Sequence, residues 1–279
     1  MKNLLLALFA MLLTLGTASA HGDGHHHHAA PPLKSKAVDA IKQGDFDRAA
    51  KLFPEEIAAQ PGEARLKTLF TELKTQIRRE KLFAQETDPE MIAAIGRQMR
   101  RFYVKYGLFA KAEPVDRKIY AADASERNAV SLGVTLLNLR KDREAAEIFG
   151  KLDLAKAKPG VVLCAALAFA RIGEKAKCAE LLGKVDRNKL DLNGVRLYVR
   201  CAARSGDAAT AAELTAKILE QSPAADHDSL KKQFFAEEDF KPVAGSEIFR
   251  KALQTVSKVK EDDCGGCPNF GTDKCQHRH

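Results

Sequence analysis

Apolar and small positions recur along this chain every thirty-three residues. Lining up the sequence on Gly107, Arg140, Gly173 and Gly206 brings the columns into register. Five residues after each anchor stand Ala112, Ala145, Cys178 and Ala211, all small. Eight after are Val115, Ile148, Leu181 and Leu214, and twelve after are Ile119, Leu152, Val185 and Ile218, all apolar. Four before the anchors are Tyr103, Leu136, Phe169 and Ala202. On both sides of each anchor, apolar residues fall at three- and four-residue spacing, the stripe of an amphipathic helix. The pattern predicts two helices per unit, joined at the anchor. Glycine there takes the positive φ that ends a helix. A fixed period in this range marks stacked supersecondary units, each covering its neighbour's apolar face.

The regular array is expected to run from Glu90 to Pro223. Before it, residues 33–61 read as a helical pair and Ala64 to Phe83 as a charged helix. Asp88 caps the next helix, with Pro89 in its first turn. After it, residues 224–260 read as a closing pair that covers the last apolar face. Asp226-His227-Asp228-Ser229 opens one helix, and Ser246 caps another from Glu247 to Lys260. No alternating β-branched run is long enough for a sheet, so the expected class is all-α.

Several stretches resemble the tetratricopeptide repeat family. Lys42-Gln43-Gly44-Asp45-Phe46-Asp47-Arg48-Ala49-Ala50, with Phe53 and Pro61, is similar to that family's turn, second helix and closing proline. Leu132-Gly133 is similar to the first helix of a later unit, and Ala211 with Pro223 to the last. Asp226-His227-Asp228-Ser229-Leu230, then Asp239-Phe240-Lys241-Pro242, resembles the closing segment of some bacterial members. The resemblance covers residues 33–223 and implies a right-handed α-solenoid. Asp116 and Thr215 depart from it where the family has a bulky residue, and Glu56 where it has alanine. Pro54 and Pro114 fall inside second helices, which points to bent or degenerate units.

The resemblance also implies a concave groove lined by the first helix of each unit. Its positions place Arg97, Arg101 and Lys105 there in one unit, and Arg127 and Asn138 in the next. Arg171 follows in the third, and Asn193, Arg196, Arg200 and Arg204 in the fourth. Arg196, Arg200 and Arg204 recur every four residues and share one helical face. No acidic residue falls in these positions. Like charges at that spacing repel by about 0.2–0.5 kcal/mol per pair, so a partner or counter-ions must offset them. Guanidinium groups fork onto carboxylates and phosphates. The expected partner is therefore an acidic protein or peptide, a C-terminal carboxylate or a polyanion. The competing reading is a solvated face whose arginines are tied to Glu and Asp of the adjoining second helices.

Charge and targeting narrow the setting. The chain has 45 Lys and Arg against 37 Asp and Glu, a formal net charge of +8. Lys2, the apolar run Leu4 to Leu15 and Ala18-Ser19-Ala20 read as a secretory signal over residues 1–20. The run is short for a membrane span. Cleavage before His21 would remove one cation, leave +7 and no transmembrane segment, and place the product in the bacterial periplasm or outside the cell. Nucleic acid is not an expected partner, since the groove has few aromatics for base stacking. Anionic headgroups or cell-wall polymers suit the charge better.

Both tails carry metal-ligand chemistry. Residues 21–32 read as a flexible segment with His21, His25, His26, His27 and His28, five imidazoles within eight residues. A new amine at His21 would sit beside its ring nitrogen, a pair that suits Cu²⁺. Residues 261–279 hold Cys264, Cys267, Cys275, His277 and His279. Three sulfurs and two imidazoles suit zinc or copper. The alternatives are a solvated His-rich segment and a disulfide, Cys264–Cys267 or Cys267–Cys275. Cys164, Cys178 and Cys201 lie in the array as small hydrophobes, or one pair bridges in an oxidising compartment. No phosphate-cradling loop, His-Glu-x-x-His or nucleophile elbow is present. His227 is the one histidine away from the tails. The chain is thus expected to be no enzyme and to need no cofactor. Two functions stand: a scaffold that holds an acidic partner, and a protein that buffers or delivers zinc or copper.

Overall fold

The structure, a computed structural model, describes residues 33–259. Among them every regular element is helical, as the periodicity predicts. The chain divides into two compact units, the second beginning at Phe169. The first contains α1 (Lys36–Lys42), α2 (Phe46–Ala59), α3 (Ala64–Gln85), α4 (Pro89–Lys105), α5 (Phe109–Ala122), α6 (Glu126–Asn138) and α7 (Asp142–Gly150). Helix α8 (Pro159–Arg171) spans the division. The second unit contains α9 (Lys175–Gly183), α10 (Leu192–Ser205), α11 (Ala208–Glu220) and α12 (Glu247–Ala252), with short helical turns between the last two.

The thirty-three-residue anchors are helix stops. Gly107, Gly173 and Gly206 have φ of 70°, 92° and 89°, and Gly44 has 77°. Arg140, at the remaining anchor, has φ 60° and is the non-glycine residue of positive φ among the described residues. At each anchor the following amide donates to the carbonyl four residues before the anchor. The pairs are Leu108 to Tyr103 at 2.8 Å, Lys141 to Leu136 at 3.0 Å, Glu174 to Phe169 at 2.9 Å and Asp207 to Ala202 at 2.9 Å. Asp45 to Ala40, at 3.0 Å, repeats the bond at Gly44. This six-to-one closure satisfies carbonyls that a helix end would otherwise orphan. Helix starts are equally local. Asp45, Asp88 and Asp207 accept from Arg48, Met91 and Thr210 amides, and Pro89 fills a first-turn position that needs no donor.

The small column is the tightest part of each pair. Ala112, Ala145, Cys178 and Ala211 are all wholly buried. In the first unit, consecutive helices pack in chain order. Ile41, Ala49, Phe53, Leu66 and Leu73 join Phe102, Tyr103, Val115 and Ile119 in one core. Helices α2 and α5 run unbroken through Pro54 and Pro114. Glu56, the expected departure, accepts from Ser35 Oγ at 2.5 Å and the Ala37 amide at 3.1 Å, tying α2 to the start of α1.

The closing segment differs from the sequence expectation. The helix after Ser246 ends at Ala252 instead of continuing to Lys260. The chain turns back because it satisfies the end of α11. The Lys258 amide donates to Glu220 O at 2.8 Å, and Ser257 Oγ donates to Ser222 O at 2.7 Å. His227, in the segment expected to open a helix, is buried with Nε2 2.8 Å from Leu219 O. Phe234, Phe235, Phe240 and Phe249 form an aromatic cluster beneath this segment. Among the described residues, no helix is long and apolar enough to cross a membrane.

Candidate functional site

The sequence-predicted cations separate into two environments. In the first unit, α4 buries Ile92, Ala93, Gly96, Met99, Phe102 and Tyr103. Arg97 and Arg101 fall on the other face, one turn apart. With Arg100 of α4 and Arg127 of α6 they line a pocket of about 370 Å³, together with Asp116, Asn128 and Ser131. Gly96 lets α5 approach: a Cβ there would lie 2.7 Å from the Ile119 side chain. That closeness brings Asp116 of α5 under Arg100.

Asp116 is the pocket's one carboxylate and it is already engaged. It is 2% exposed. It accepts from Arg100 Nε at 3.2 Å and Thr135 Oγ at 2.6 Å. Burial pushes its carboxyl up, further than Arg100 and the Thr135 hydroxyl draw it down. Arg100 also reaches Ser131 O at 3.4 Å. The other three guanidiniums are differently placed. Arg97 has a buried Nε with no hydrogen-bond partner among the described residues. Arg101 and Arg127 are exposed, and no ion pair holds either within the described residues. A second recess of about 440 Å³ shares Gln98 and Arg101 and adds Thr75, Arg79 and Phe102. Lys105 lines it too, tied to Glu72 at 2.7 Å. The two recesses meet at Gln98 and Arg101 of α4, and their cations outnumber the two carboxylates, Glu72 and Asp116, that line them.

In the second unit two of the predicted arginines are spent internally. Asp239 is fully buried. Arg171 forks onto it through Nε at 2.9 Å and Nη2 at 2.8 Å. Arg200, 1% exposed, donates to the same carboxylate at 3.1 and 2.9 Å. Arg200 also lies 2.9 Å from Glu237. Arg171 and Arg200, expected to face an external partner, are therefore corrected to members of an intrachain lock. The reason is that the closing segment delivers two carboxylates to them, and two buried guanidiniums need such counter-charge. Arg204 donates to Arg171 O at 3.5 Å. Arg196 is half-buried; burial pushes its guanidinium down, against the pull of Asp226. Asn193 is exposed, and Asn138 donates to Val134 O at 2.8 Å.

Sequence reasoning did not single out Arg100, Arg79 or Glu237, and it named Asp239 only within a closing motif, without its role. The acidic run at 237–239 was the available signal, since it is the one such run that follows the basic stripe closely within the array's closing segment. The expected signal segment and the tail histidines and cysteines, at residues 21–28 and 264–279, lie outside the described residues. Among the described residues no cluster of metal-ligating side chains occurs. Cys164, Cys178 and Cys201 are buried thiols, and Cys178 Sγ lies 3.9 Å from Cys201 O. No family model matches the chain, and no curated protein matches it.

Proposed function

We propose that this protein is an exported, non-enzymatic helical-repeat scaffold of the tetratricopeptide kind. It holds an acidic segment of a partner protein in the basic groove of the first unit. One observation carries the reading. Arg97, Arg101 and Arg127 line one pocket, and its single carboxylate accepts from Arg100 and Thr135 instead. Uncompensated guanidiniums in a partly enclosed recess attract carboxylates and steer their approach. The repeat period, the small-residue column and the helix stops support a solenoid, in which such a groove follows from stacking first helices side by side. The test is crosslinking capture from the bacterial envelope with the full chain. Arg101→Glu with Arg127→Glu is expected to abolish capture of the specific partner. Unchanged capture by that variant would remove the groove from the function.

A second reading rests on the five imidazoles of residues 21–28 and the Cys-x-x-Cys, Cys-x-His-x-His tail. In it the protein also buffers or delivers zinc or copper. Metal analysis of untagged protein tests it: stoichiometric zinc or copper is expected, falling when Cys264 and Cys267 become alanine. Equal metal content in the variant would exclude the C-terminal site.

A further inference from the structure

The same cationic stripe occurs twice, three repeats apart. Arg97, Arg101 and Lys105 on α4 stand in the register of Arg196, Arg200 and Arg204 on α10. The match extends to surroundings: Arg97 and Arg196 both bury an Nε that has no hydrogen-bond partner among the described residues. In the second unit one member of the stripe, Arg200, already has an occupant. The segment Ala236-Glu237-Glu238-Asp239-Phe240 lies against α10. Its two inward carboxylates, Glu237 and Asp239, are two residues apart and both reach Arg200. Arg171, from a neighbouring helix, completes the fork on Asp239. Glu238, between them, points to the surface and pairs with Lys241 at 2.6 Å.

In the first unit the counterpart of Arg200 is Arg101, and no carboxylate holds it within the described residues. The counterpart of Arg171 is Glu72, which instead holds Lys105. A second guanidinium is nevertheless present, Arg127 of α6, lining the same pocket as Arg101. Arg127 lies in the repeat after α4, whereas Arg171 lies in the repeat before α10, so the element common to the two sites is the stripe arginine, Arg101 or Arg200.

We infer that the first unit recognises an internal Glu-x-Asp segment of the partner, its two side-chain carboxylates both reaching Arg101 as Glu237 and Asp239 reach Arg200, with Arg127 of the same pocket as the second guanidinium. This rests on the basic-groove reading above and specifies its ligand. A free C-terminus plays no part. The occupant in the second unit is internal, and the chain continues past it through α12. The residue between the carboxylates faces solvent and its identity is open, as with Glu238.

The test uses the full chain and fluorescent peptides with acetylated and amidated ends, read by anisotropy. Ala-Glu-Gln-Asp-Phe-Lys-Pro carries the two-residue spacing. Ala-Glu-Asp-Gln-Phe-Lys-Pro has the same composition and charge with the carboxylates adjacent. The first is expected to bind about tenfold tighter than the second, the scale of one good charge-assisted contact. Arg101→Gln with Arg127→Gln is expected to erase that preference; both side chains are exposed, so the variant should fold. Equal binding of the two peptides, lost in the variant, would overturn the Glu-x-Asp rule while leaving the basic groove in place. Binding of neither peptide, or binding that the variant does not change, would overturn both.

Discussion

Asp239 is a single carboxylate serving two buried guanidiniums. Replacing it with asparagine leaves Arg171 and Arg200 without their main counter-charge, and breaking such a buried set costs roughly 3–5 kcal/mol. Asp239→Asn is therefore expected to lower the urea midpoint of unfolding steeply. A loss under about 1 kcal/mol, the scale of an exposed pair, would mean that the lock carries little of the fold. The repeat anchors give a paired prediction of opposite sign. Gly206 has φ 89° and only Lys175 Nζ, 3.6 Å away, near its missing Cβ. Gly206→Ala should cost about 1–2 kcal/mol from conformation alone. Arg140 adopts φ 60° with a Cβ, so Arg140→Gly should relieve strain and raise the free energy of unfolding by up to about 1 kcal/mol. The glycine stops were legible in the sequence because only glycine takes that conformation freely. The same conformation at Arg140 was legible only through its register with the glycines. The role of Asp239 was not legible, since its partners lie 68 and 39 residues away.

At the level of elements, helix pairs are set by what small residues permit. A Cβ on Gly133 of α6 would stand 2.6 Å from Cζ of Phe149, a wholly buried ring of α7. Gly133→Ala should therefore cost about 1–3 kcal/mol through overpacking, although alanine favours the helix itself. Thermal unfolding distinguishes the two effects by sign. Asp116 links α4, α5 and α6 through Arg100 and Thr135. Its carboxyl is raised in the fold, so the folded chain holds that proton more tightly than the unfolded chain. The stability this confers is full below the ordinary aspartate range and is lost as pH rises through the raised value. Asp116→Asn, which cannot ionise, should gain thermal stability relative to the parent as pH goes from about 4 to about 7. It also leaves the pocket one charge more positive, so acidic peptides should bind it more tightly. A pH-independent difference would remove Asp116 titration as the cause.

For the molecule as a whole, a net charge of +8 and the proposed basic groove would make capture sensitive to salt. Raising ionic strength from about 0.01 M to about 1 M shortens the screening length from roughly 30 Å to roughly 3 Å. Acidic-peptide binding should weaken several-fold over that range, as anisotropy titrations would show. The fully buried Asp239 lock is shielded from that screening, so unfolding midpoints should move far less. By itself the sequence determined the helical class, most of the hairpin boundaries and the shared register of the two cationic stripes. Helix periodicity, capping and left-handed stops act within a few residues, and a thirty-three-residue repeat writes them several times over. Only the tertiary structure decided which arginines remain available. Arg101 and Arg200 occupy the same register, and they differ because a distant acidic turn folds back onto one and not the other.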